Sequence, residues 1–80
     1  MPLKKPWKPL NRETIRSVPD RYGVYELGDE DGVVIAVDEG PLRDELKEAL
    51  AYGDGEDVRW TTTESIEEAK RLVAEHRKRL

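Results

Sequence analysis

YGVYELGDEDGVVIAVDEGPLRDELKEAL, residues 22–50, contains two strand patterns and one helix pattern separated by short turns. Gly23-Val24-Tyr25 opens the first strand. Gly28-Asp29-Glu30-Asp31-Gly32 follows, and two glycines bracketing three acids suit a hairpin loop, because glycine reaches the positive φ that such loops need. The three acids lack the alternate spacing and distal Glu of a calcium loop, so they read as a solvated turn. Val33 to Val37 has no polar position, the pattern of a strand covered on both faces, which places it in the middle of the sheet. Pro41 then suits a first helical position, and Leu42, Leu46, Ala49 and Leu50 fall at i, i+4, i+7 and i+8, one face of an amphipathic helix.

On the N-terminal side, residues 1–9 hold three prolines among Lys4, Lys5, Lys8 and Trp7, a composition that favours extended chain and predicts a flexible or loosely docked basic arm. Asn11 is a good helix N-cap, and Leu10 with Ile15 has the spacing of a hydrophobic staple; Pro19 ends that helix within two turns. On the C-terminal side, Gly53 is a helix stop, and Asp57 to Thr62 alternates as a third strand with Val58 and Trp60 on one face. Ser65 with Glu68 makes a capping box for a last helix, whose apolar side carries Ile66, Ala69, Leu72, Val73, His76 and Leu80. The order is α-β-β-α-β-α. It predicts an α+β fold with a small three-stranded antiparallel sheet flanked by helices, in a single domain over 10–80.

Composition narrows the function classes. Eighty residues support one core, and with no Phe, two Trp and three Tyr provide all the aromatic bulk. The absence of cysteine excludes disulfides and thiolate metal sites. No apolar run is long enough to cross a bilayer and no signal peptide is evident, so the expected location is cytoplasmic. The net charge of −4 is unevenly spread: residues 22–57 hold twelve acids against only Arg43 and Lys47, while residues 1–21 hold six basic and two acidic side chains. A balance of −10 over the central stretch opposes contact between that stretch and a phosphate backbone.

Val18-Pro19-Asp20-Arg21-Tyr22-Gly23-Val24-Tyr25-Glu26-Leu27, the acidic loop, Val33 to Val37, Leu42 to Leu46, Trp60-Thr61-Thr62 and Glu68-Ala69 form an ordered series that resembles the GIY-YIG nuclease domain. It is most similar to the nuclease module of the bacterial excision-repair endonuclease, and the resemblance runs from about residue 18 to the C-terminus. It implies a small antiparallel sheet with flanking helices and metal-assisted phosphodiester hydrolysis. In that chemistry tyrosines from both strand motifs activate or orient water, a helix arginine neutralises phosphate charge, and a glutamate on a later helix holds the divalent ion.

Matched position by position, most of that machinery is replaced. Tyr25 stands for the tyrosine of the first motif, whereas the second motif reads Ala36-Val37-Asp38. The helix arginine falls on Glu45, and Arg43 lies about 200° around the helix from it. The metal-binding glutamate falls on Val73, with Glu75 or Glu68 as shifted replacements. The vestigial site candidates are therefore Tyr25, Arg43 and Glu75. No cofactor or metal site is assigned, and magnesium enters only with a nuclease reading.

Three functions follow as expectations. The first is a catalytically degenerate GIY-YIG-like domain serving as a binding or assembly module, through an unknown protein partner or self-association. The second is a divergent metal-dependent DNA endonuclease using Tyr25, Arg43 and Glu75. The third is nucleic-acid binding through Lys4, Lys5, Lys8, Arg12 and Arg16. His76 reads as a core-edge histidine and Trp60 as core. Tyr22 and Tyr25, three apart, fall on opposite faces of their strand.

Overall fold

The computed structural model describes Leu3 and residues 5–78, and Lys4 and Leu80 of the readings above lie outside them. The elements are β1 (Lys8–Pro9), α1 (Arg12–Ser17), β2 (Tyr22–Gly28), β3 (Val34–Pro41), α2 (Leu42–Tyr52), β4 (Asp57–Thr62) and α3 (Ile66–Arg77). The fold is α+β, with one antiparallel sheet in the order β1-β4-β2-β3. Local signals set the helix ends. Asn11 Oδ1 accepts from the Thr14 amide at 2.8 Å, Ser65 Oγ accepts from the Glu68 amide at 3.1 Å, and Gly53 ends α2 at φ +67°.

Alternation along β2 splits the core in two. Tyr25 and Leu27 join Leu42, Leu46, Ala49 and Val58 under α2, with Leu10, Ile15 and Val18 from around α1. Val24 joins Val37, Ala69 and Val73 under α3 on the other face, with Tyr22 packed alongside. The helices thus sandwich β2, and its residues Gly23 to Gly28 are all buried. At Gly23, a Cβ would run into the Thr61 carbonyl oxygen and approach Leu42 Cδ1 to 2.9 Å, so only glycine allows β4 and α2 this close.

Two expectations are corrected. The sheet has four strands rather than three, because Lys8 and Pro9 pair with Val58 and Asp57. Part of the arm is therefore docked: the Trp7 indole lies against Gly28, whose missing side chain leaves room for the ring. The middle strand is β2, and the apolar run of residues 33–37 lies at the sheet edge, with Val33 57% and Ile35 48% exposed. The physical reason is that β4 pairs with β2 and leaves the far side of β3 open; a register shift, in which Leu27 pairs with Ala36 and Gly28 with Val34, also leaves Ile35 without a partner on β2. An apolar run signals burial on both faces in parallel sheets. In this antiparallel one, hairpin geometry decides position instead.

Candidate functional site

Tyr25 is the sequence candidate in the most distinctive surroundings. Its side chain lies on the α2 face of the central strand, and its hydroxyl donates to Glu45 Oε1 at 3.0 Å. Glu45 reaches it by passing over Gly40, where a Cβ would come within 2.7 Å of Glu45 Cγ and where φ is +152°. Asp38 is the cross-strand neighbour of Tyr25. Burial, then the charge and hydrogen bond of Glu45, then the Asp38 and Glu48 charges raise the phenol well above its ordinary pKa. Tyr22, on the opposite face, donates to Glu39 Oε2 at 3.1 Å and is raised by burial and by Glu39. Both hydroxyls are held protonated as donors to carboxylates, the reverse of what a water-activating phenolate requires.

A surface groove of about 610 Å³ opens beside Tyr25, lined also by Ile35, Asp38, Asp54 and Arg77. Arg77 reaches there from α3, a placement that nothing local in the sequence signals. Its Nε and Nη2 donate to the Val37 carbonyl of the edge strand at 3.2 and 3.1 Å, and Nη2 lies 3.7 Å from Asp38. Its main hydrogen bonds are thus already made within the fold.

The other candidates do not converge on Tyr25. Arg43 donates through Nε and Nη2 to the Val18 carbonyl at 3.1 and 2.9 Å, tying α2 to the end of α1. Glu75 is exposed on α3, the helix that covers the opposite face of the sheet, and Glu68 lies half-buried in the first turn of that same helix. Among the described residues, no three His, Asp or Glu side chains are grouped so as to hold a metal ion.

Sequence reasoning missed a charged cluster in the interior. Glu26 is 1% exposed, and Arg59 Nε meets its Oε1 at 2.6 Å from the neighbouring strand. His76 Nδ1 lies 3.2 Å from Oε2, off the line of a good hydrogen bond, and at 4% exposure it is fully buried rather than at the core edge. Burial lowers the His76 pKa, and the charge of Glu26 offsets this only in part. The cluster also anchors the arm. The Leu3 amide donates to Glu26 at 3.3 Å, the Lys5 carbonyl accepts from Arg59, and the Arg59 guanidinium stacks 4.1 Å from the Trp7 ring centre. Trp7 is therefore committed to internal packing rather than offered as a platform for bases.

Fold and site together define a small antiparallel α+β domain with a carboxylate-lined tyrosine cleft. The family model of a domain of unknown function, DUF7508, matches residues 1–79, and the chain belongs to that family. No curated protein matches the chain, and no solved structure does. No described helix is long and apolar enough to cross a membrane.

Proposed function

We propose that this domain is a GIY-YIG-like scaffold that has lost phosphodiester hydrolysis and serves as a binding or assembly module. The observation that carries this reading is the Tyr25–Glu45 hydrogen bond. The resemblance requires a tyrosine facing an arginine that neutralises phosphate, and here the tyrosine faces a carboxylate. A phosphodiester anion about 4 Å from one such carboxylate is opposed by about 4 kcal/mol at an effective dielectric of about 20. Losing a single transition-state charge contact typically costs about 10²–10³ in rate, and here the arginine contact is reversed in sign. The element order from β2 to α3 and the antiparallel pairing also support the scaffold half of the reading.

The test is a plasmid-nicking assay with magnesium or manganese, comparing the native chain with Tyr25→Phe. The expected result is no nicking above background for either protein. Metal-dependent nicking that Tyr25→Phe abolishes would overturn the proposal.

A further inference from the structure

A groove larger than the one beside Tyr25 lies away from the tyrosine cleft, between α1 and α2. It encloses about 850 Å³, with Ile15 and Leu50 in its apolar lining and Arg12, Arg16, Arg43 and Lys47 around them. Arg12 with Arg16, and Arg43 with Lys47, are like-charge pairs at i, i+4, an arrangement that mildly destabilises a helix and concentrates positive charge on this face. Arg43 and Lys47 are also the only basic residues in the acidic stretch 22–57, and both line this groove. Among the described residues none of the four forms an ion pair with a carboxylate. A cationic rim over an apolar lining fits an acidic segment that carries exposed apolar side chains. It suits a nucleic-acid backbone less well, since no aromatic residue lines it to stack a base.

The same chain presents such a segment. At the tip of the β2–β3 hairpin, Glu30 and Asp31 are exposed beside the exposed Val33 and Ile35. Asp29 rigidifies the tip by accepting from the Asp31 and Val33 amides at 2.9 and 3.0 Å, which leaves the Glu30 and Asp31 carboxylates free of ion pairs among the described residues. We infer that the domain self-associates by seating the Glu30–Ile35 tip of one copy in the α1–α2 groove of another. Local complementarity of sign overcomes the repulsion between two copies of net charge −4. Seating the tip also covers part of an open sheet edge that would otherwise invite indiscriminate pairing. This inference rests on the assembly-module reading and supplies its partner.

Sedimentation velocity over a range of concentrations, at low and high salt, tests it with two variants. Arg16→Glu with Lys47→Glu reverses the groove, and Glu30→Lys with Asp31→Lys reverses the tip; all four positions are exposed, and circular dichroism verifies folding. Arg43 and Asp29 are left intact because each makes hydrogen bonds within the fold. The expected result is a salt-sensitive association that each variant weakens about tenfold or more, restored when the two variants are mixed. A monomer at every concentration, an association indifferent to both reversals, or a groove that binds an acidic peptide or DNA while the chain stays monomeric would overturn it. Monomeric behaviour without nicking would sink self-association alone, whereas Tyr25-dependent nicking would sink the loss of hydrolysis alone.

Discussion

The Tyr25 hydroxyl donates to Glu45 across 3.0 Å, joining the central strand to α2 at the place where the nuclease resemblance expects an arginine. Glu45 lies in an anionic neighbourhood with Asp38 and Glu48, so the phenol is held protonated. Above pH 10 the unfolded chain gives up this proton more readily than the folded one. Stability is therefore complete below about pH 10 and falls as pH rises further. Tyr25→Phe should cost about 1–2 kcal/mol at neutral pH, the scale of a part-exposed hydrogen bond to a charged acceptor, and should remove this share of the alkaline loss. Glu45→Gln should bring the Tyr25 titration down. Denaturation between pH 8 and 11, with ultraviolet titration of the tyrosines, measures both effects.

The Glu26–Arg59 pair makes a second prediction. Arg59→Met leaves a 1%-exposed carboxylate facing His76 and the Leu3 amide with no fixed cation, and breaking a buried pair in this way costs about 3–5 kcal/mol. For so small a domain that is much of the total stability. Adding Glu26→Leu to Arg59→Met should recover most of the loss, since an apolar pair of similar volume needs no desolvation. Urea unfolding followed by tryptophan fluorescence provides the comparison. A loss below about 1 kcal/mol for Arg59→Met alone would contradict the burial argument.

His76 sets the acid limb. Its pKa in the fold is below the ordinary value because burial disfavours the charged form, so the unfolded chain binds the proton first. The stability it contributes is present above about pH 6.5 and declines as pH falls below that value. His76→Gln should flatten the stability profile just below about pH 6.5. The steeper fall at still lower pH, where carboxylates titrate, should remain. Guanidinium unfolding in half-unit pH steps for both proteins resolves the two limbs.

The parts of this fold that depend on near neighbours were legible in the chain. Asn11 and Ser65 cap the helices they precede, Gly53 ends α2 and Asp57 to Thr62 is the strand its alternation indicates, because caps, left-handed stops and strand periodicity act over a few residues. That Glu45 puts an acid, and not a base, on the helix after the second strand was legible too, since charge type needs no coordinates.

Which strand lies in the middle was settled only by tertiary structure. Residues 33–37 look central, yet the pairing of β4 with β2 puts them at the edge. The same holds for Glu26, Arg59 and His76, which come from three elements and share one buried site, and for Arg77, which reaches the edge strand from α3. The chain's alternation and composition determined which elements form and where its charges fall along them. Packing decided what those charges meet, because contacts between residues distant in sequence depend on how the helices and strands are laid across one another.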